Sequence, residues 1–493
     1  MSSNRNKSFQ RLGIIGGIIL VALLLGFLTG NMQLVLDILS AIGLILIAIS
    51  ILVTVHELGH FLTAKAFGMR VETFSIGFPP KLFSFTKGET EYQIGATPLG
   101  GYVKISGIID ESFDTDYLGS EPQPYEFRSK PVWQRLIVMT GGVIMNILLG
   151  IFIFSMIKFF YGDLLLPIEE VRYGIEVREG EKQSIGSLIG FKSGDSLVSF
   201  KGEALPYFNE YRDGGNIISD DAYFEVKRDG KIIRIDVPPT IQNYYNDKEY
   251  SRSIFDLGYP SVVEVKEVMK FSPEDTGIPS PAHTAGLRSG DKIIQLDTIP
   301  ITYFREISGF MKDKTFAEIP VKVTRGADTL DFIIKTDSLP ILGVLSAPLE
   351  SLFKLDTLEY GFFESFGPGA KMAFGGLSDN IQGFKNLTNP GVEVSKSVMG
   401  PIQIAKVYLE IFRNQGIEGF IHLTGMLSMV LAFINILPIP ALDGGHVVFL
   451  LIEAVTRKEP SVKVRLIAQQ IGMVIVLMLM VYFLFNDAIQ INQ

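Results

Sequence analysis

Five stretches of this 493-residue chain, at 12–29, 38–55, 136–157, 421–439 and 466–485, contain no Lys, Arg, Asp or Glu. Each approaches the roughly 20 residues a helix needs to cross about 30 Å of hydrocarbon, and core helices of soluble proteins rarely run so far without a charge. Backbone polar groups in lipid must be satisfied within the segment, so such runs span as helices. The expectation is a polytopic α-helical membrane protein with about five membrane helices. The first stretch follows a basic N-terminus, as a secretory signal does. Its apolar run is longer than a signal core, and residues 30–33 offer no small-x-small cleavage site, so it is read as a retained helix.

Basic residues near helix ends stay on the cytoplasmic side. Arg5, Lys7 and Arg11 precede the first stretch with no acidic residue among them, which puts the N-terminus inside. Alternate crossings then place 65–135 and 457–465 inside and 158–420 outside, and Arg457, Lys458, Lys463 and Arg465 agree. The net charge of −9 without a basic tract argues against nucleic acid as a partner. The absence of cysteine removes disulfides, thiol nucleophiles and thiolate ligands.

The second apolar stretch runs directly into His56-Glu57-Leu58-Gly59-His60. On a helix, positions 56 and 60 share one face a turn apart, so both imidazoles reach one Zn²⁺. Glu57 beside them is placed to take a proton from the attacking water, as a general base. Ionisable groups at membrane depth are costly enough to mark function by default. A catalytic zinc normally has a third protein ligand. Of the other histidines, His283 lies in the outer segment and His422 at the outer end of its helix. Asp443, after Pro438 and Pro440 and before Gly444-Gly445, reaches the same membrane face as His56 and His60; His446 is the alternative.

The outer segment repeats itself. Gly190-Phe191-Lys192-Ser193-Gly194-Asp195 is echoed by Gly286-Leu287-Arg288-Ser289-Gly290-Asp291, and Val226 to Gly230 corresponds to Val323 to Gly326, each the turn of a strand pair. The pattern resembles the PDZ domain in its bacterial envelope form. The resemblance implies two extracytoplasmic α+β domains with peptide grooves near Gly190, Phe191, Gly286 and Leu287.

Together with Pro98 to Lys104, the Asn435 to Gly445 block and Gly400 to Lys406, these motifs identify the chain as similar to the site-2 protease family of intramembrane zinc metalloproteases. The match lies in the bacterial regulator of sigma-E protease branch, which carries two PDZ domains. The resemblance implies cleavage of single-span membrane proteins such as anti-sigma factors or remnant signal peptides, with or without earlier trimming by another protease. It also implies one Zn²⁺ held by His56, His60 and Asp443, Glu57 as base, and Asn435 as a holder of substrate backbone. The location implied is the bacterial inner membrane, with the active site toward the cytoplasm and the PDZ domains periplasmic. Two departures stand out: the 12–29 helix is extra, and Gly142-Val143-Ile144-Met145-Asn146 lacks the usual proline while keeping Asn146.

The resulting layout is an extra helix (1–33), a core with the HExxH helix and a β-hairpin (34–165), two PDZ-like domains (166–258 and 259–350), a surface connector (351–420) and the C-terminal core (421–493). The hairpin is expected from Glu91 to Ala96, including Tyr92, Gln93, Ile94 and Gly95, turning at Gly100-Gly101 into Tyr102 to Ile105. Its edge would pair with unwound substrate. Phe362, Phe363, Phe366, Met372 and Phe374 fit either an amphipathic surface helix within 361–389 or ordinary packing under the PDZ domains. Competing readings are a membrane PDZ scaffold with a relic metal site and a tethered metalloprotease acting on soluble peptides.

Overall fold

A computed structural model describes residues 32–108, 121–177, 183–208, 221–238, 250–251, 256–257, 265–269, 279–336, 340–346, 352–387 and 399–491. The expected 12–29 helix lies outside the described residues. The chain forms two compact units, Met1–Gly162 with Glu359–Gln493, and Asp163–Leu358.

The first unit is built on helices α1 (Met32–Ala66), α2 (Val132–Tyr161), α3 (Phe366–Leu387), α4 (Pro401–Ile436, two segments joined by a break at Gly416, φ 63°), α5 (Asp443–Thr456) and α6 (Val462–Ile491). Among the described residues four helices are long and apolar enough to cross a membrane: Val35–Ala66, Val132–Tyr161, Pro401–Ile436 and Val462–Ile489. All four extend beyond the uncharged stretches at one end or both, because the polar residues that close those stretches still fit a helix outside hydrocarbon. Within the 421–439 stretch the helix stops short, at Ile436. Leu437 is extended (ψ 144°), as expected for a residue held away from helical backbone by the following Pro438.

Glycines let these helices approach closely, the usual means of packing where no hydrophobic force acts between helices. A Cβ on Gly59 of α1 would lie 2.2 Å from the Gly141 carbonyl oxygen of α2, and one on Gly369 of α3 would lie 2.5 Å from Ser155 N of α2. Between α4 and α2, Gly425 faces Ile153 and Phe154 at 2.8–3.2 Å by the same measure. At the other end of α4, Asp487 of α6 is fully buried. Its carboxylate accepts from Gly400 N at 2.9 Å, Ile402 N at 2.9 Å and Gln403 N at 3.3 Å. A carboxylate from a distant helix thus satisfies amides that have no partner within α4.

Between α1 and α2 lie strands β1 (Val71–Lys87) and β2 (Thr90–Ile105), which join at Gly88-Glu89. The expected hairpin turn at Gly100-Gly101 does not form. Residues 91–94 and 101–105 do not pair with each other, because Val71 to Ile76 lies between them. Ile76 faces Ile94 on one side and Gly101 on the other, and Ser75 likewise faces Gln93 and Tyr102. On its far side 91–94 pairs with 83–86. Tyr92, Gln93 and Ile94 therefore have strand partners on both sides, and the outer edge on the β2 side is 101–105. Gln93 Nε2 also donates to the Tyr102 hydroxyl.

The second unit realises the sequence echo as two four-stranded antiparallel sheets with one connectivity. The first comprises Ser196–Phe200, Glu203–Ala204, Tyr223–Arg228 and Lys231–Asp236, the second Lys292–Leu296, Ile299–Pro300, Glu318–Arg325 and Asp328–Lys335. Each follows a five-residue helix, Ile185–Ile189 or Pro281–Ala285, ended by a left-handed glycine, Gly190 (φ 102°) or Gly286 (φ 88°). In the first copy Arg228 grips Asp195 with both nitrogens at 2.6 Å and the Gly190 carbonyl at 2.8 Å. In the second, Arg325 grips Asp291 at 2.6 and 2.7 Å and the Gly286 carbonyl at 3.2 Å. The repeated Gly-Asp step therefore ends in a bidentate, charge-assisted clamp from the hairpin. Phe191 and Leu287, expected near the grooves, are 2% and 4% exposed and belong to the two hydrophobic cores. An apolar side chain after a helix-ending glycine turns inward, so these two do not line an open surface.

Candidate metal centre

His56 and His60 fall on the last turns of α1, and Asp443 opens α5. Asp443 is carried there by a tight return of chain after α4. Ala441 takes a left-handed backbone (φ 83°). Gly444 and Gly445 allow close approach: a Cβ would lie 2.1 Å from the Leu437 carbonyl and 2.7 Å from that of Ile439. The two glycines thus act through contact with the preceding loop, not through unusual dihedrals.

His56 Nε2 lies 3.1 Å and His60 Nε2 3.3 Å from Asp443 Oδ2, and the two Nε2 atoms are 3.2 Å apart. Ligands bound tetrahedrally at about 2.0–2.1 Å are separated by about 3.3 Å, so the triangle has the size a tetrahedral zinc requires. Asp443 Oδ2 is buried and makes no hydrogen bond, the state of an atom whose partner is a cation. Both histidines are buried, at 8% and 6% exposure. The donor set of two imidazoles and one carboxylate, with one position left for water, fits a catalytic zinc. His446 is not in the cluster; it lines a separate cavity with Arg135, Glu453 and Arg465. His422 packs edge-to-face on Phe154, with ring centroids 5.5 Å apart.

The surroundings orient the ligands. His60 Nδ1 is 2.8 Å from the Val138 carbonyl oxygen, which fixes the proton on Nδ1 and leaves Nε2 its lone pair. His56 Nδ1 meets the Asn146 side chain of α2 at 3.2 Å. Asn435 of α4 reaches His56 Nε2 at 3.4 Å, so the residue expected to hold substrate does stand beside the centre. Gly142 forms the floor: a Cβ there would lie 2.5 Å from both His56 Cε1 and His60 Nε2. Gly142 and Asn146 stand out in the sequence as the ends of a motif that the family resemblance points to, but nothing in their spacing assigns them to the histidines.

Glu57 faces the sheet. A Cβ on Gly101 would lie 3.3 Å from Glu57 Cγ, 3.0 Å from Val53 Cγ1 and 2.6 Å from the Ser75 carbonyl. One on Gly100 would lie 2.2 Å from the Phe78 ring. The glycine pair is there so that strand 101–105 can run against the helix that carries Glu57.

An HExxH helix and a carboxylate that converge within a bundle of apolar helices define a membrane metalloprotease. The chain belongs to peptidase family M50, whose family model matches residues 44–479. It is a zinc metalloprotease of that family and a polytopic membrane protein. It is similar to the regulator of sigma E protease of Haemophilus influenzae, 28% identical over 92% of this chain and 99% of that protein. It is also similar to the regulator of sigma-E protease RseP of Escherichia coli K12, 27% identical over 90% of this chain and 97% of the relative. A Vibrio cholerae protein described provisionally as a zinc metalloprotease is 28% identical over 90% and 97% of the two chains.

Proposed function

We propose that the chain hydrolyses a peptide bond in the membrane-spanning segment of single-span proteins, in regulated proteolysis of the kind named for its sigma-E relatives. The observation that carries this is the triangle of His56, His60 and Asp443, with edges of 3.1–3.3 Å inside an apolar helix bundle. His56, His60 and Asp443 hold the zinc. When bound, zinc supplies Lewis acidity toward water and the scissile carbonyl. Glu57 takes the proton of the attacking water and returns it to the leaving amine. Asn435 holds substrate backbone beside His56.

A helical substrate keeps its carbonyls in its own hydrogen bonds and must unwind locally before attack. The freed groups are costly in lipid. The edge 101–105 pairs with them by strand addition, and its contact with Glu57 through Gly101 supports that assignment over Tyr92 to Ile94, whose sides are already paired. The centre faces the cytoplasm and 163–358 the periplasm, as the basic residues at 65–135 and 457–465 favour. The repeats, at 166–258 and 259–350, are PDZ domains that regulate access, and 351–420 connects them to the membrane.

The test is mass spectrometry of membrane-protein fragments from cells carrying the active enzyme or Glu57→Gln. Fragments ending inside a transmembrane segment, absent with Glu57→Gln, are expected. Fragments confined to soluble segments would overturn the intramembrane reading.

A further inference from the structure

Asn146 is fully buried, and one atom of its amide lies 3.2 Å from His56 Nδ1. With Nδ2 in that place, Oδ1 is buried without a partner. An amide's oxygen and nitrogen have nearly the same shape, so the hydrogen-bond network decides which is which. If His56 presents Nε2 to the metal, as its 3.1 Å approach to Asp443 indicates, the ring proton is on Nδ1 and requires an acceptor. Placing Oδ1 there satisfies the imidazole and moves the unpartnered position from the oxygen to Nδ2, so the proton that His56 must donate decides between the two orientations.

We infer that Asn146 is a positioning residue whose Oδ1 accepts from His56 Nδ1, setting the tautomer and ring orientation that present Nε2 to zinc. This rests on the reading of His56 as a ligand. The Val138 carbonyl does the same for His60, so α2 supplies the acceptor for both histidines of α1. Asn146 is itself held, because Ser428 Oγ of α4 donates to its backbone carbonyl at 2.8 Å. The helix that carries Asn435 thereby also fixes the turn of α2 that holds His56.

The experiment uses the full chain in detergent and measures zinc affinity by competition with a chromophoric chelator for the parent, Asn146→Leu, Asn146→Asp and His56→Ala, alongside cleavage. Asn146→Leu, of similar volume but without an acceptor, is expected to bind zinc about 10- to 100-fold more weakly, the usual consequence of losing a partner of a metal-bound imidazole. Asn146→Asp keeps an acceptor and loses the donor, and is expected to stay within about threefold of the parent by the same logic. A folded Asn146→Leu with parental zinc affinity overturns the inference. So does Asn146→Asp falling tenfold or more, since that would make the amide a donor, and this variant decides the matter even if Asn146→Leu does not fold. His56→Ala separates the two readings: unchanged zinc there removes His56 as a ligand, whereas loss there with an unaffected Asn146→Leu removes only the role of Asn146.

Discussion

Gly142 shows how little space the metal centre leaves. Its missing side chain is the room in which the two imidazoles stand, and the nearest backbone on the other side, at Gly59 and Gly141, is already in contact. Overpacking of this kind typically costs about 1–3 kcal/mol, and in Gly142→Ala the strain falls on the ligands themselves. Zinc affinity is expected to drop about tenfold or more, which metal analysis after dialysis against a weak chelator would check. The third ligand gives a cleaner contrast. Asp443→Ala should abolish zinc retention, while His446→Ala, outside the triangle, should keep the parental stoichiometry. The sequence brought these residues within view unevenly. His56, His60 and Glu57 are legible because helix periodicity alone places them together. Asp443 needed an argument about which membrane face it reaches. Gly142 and Asn146 act only through a helix crossing, and no local pattern encodes a crossing.

At the level of elements, the sheet departs furthest from its sequence pattern. Gly100-Gly101 carries the signature of a turn, yet the chain turns at Gly88-Glu89 and the two glycines lie within β2. They are needed because Phe78, Ser75 and Glu57 press on that strand, and a sequence cannot distinguish a glycine that bends from one that makes room. The consequence is testable in a chain without native cysteine. In a Glu57→Gln background, a single cysteine at Tyr102 or Lys104 should form a disulfide with cysteines placed through a substrate's membrane segment, while one at Ile94 should not. Equal crosslinking at all three would remove strand addition at 101–105. Helix α3 lies within 361–389, and Phe159, Phe362, Phe363 and Phe366 form a chain of edge-to-face rings around its start. Phe363 is 84% exposed, suited to a membrane interface. In the second repeat, burial pushes the Asp291 carboxyl up, but Arg325 and the Arg288 amide outweigh it and hold it below the usual range. A carboxylate depressed in the fold stabilises it above its unfolded pKa of about 4, and that contribution is lost as pH falls toward the folded value. Hydrogen exchange at 286–325, corrected for the intrinsic rate, should quicken as pH falls from about 5 to 3. Asp291→Asn should flatten that response.

For the whole molecule, the chemistry is complete within one unit. His56, Glu57, His60, Asn146, Asn435 and Asp443 all belong to Met1–Gly162 with Glu359–Gln493. In the proposed function the repeats control access, and none of these groups lies within them. Removing 172–346 should leave zinc bound and separate two kinds of control: a sieve predicts cleavage of substrates with intact outer domains, and a recruitment site predicts loss of cleavage, both read on immunoblots of substrate. The same division explains what was legible at this scale, since two repeats and a set of uncharged runs announce themselves, whereas their mutual arrangement has no one-dimensional signature. Lastly, the clasp of Asp487 ties the last turns of α6 to the first segment of α4, which meets the segment that presents Asn435 only through the break at Gly416. A nonsense codon just ahead of residue 487 would spare every hydrolytic group and still strip the amides of Gly400, Ile402 and Gln403 of their carboxylate, so truncations there should score in a genetic screen as impaired, not as harmless trims.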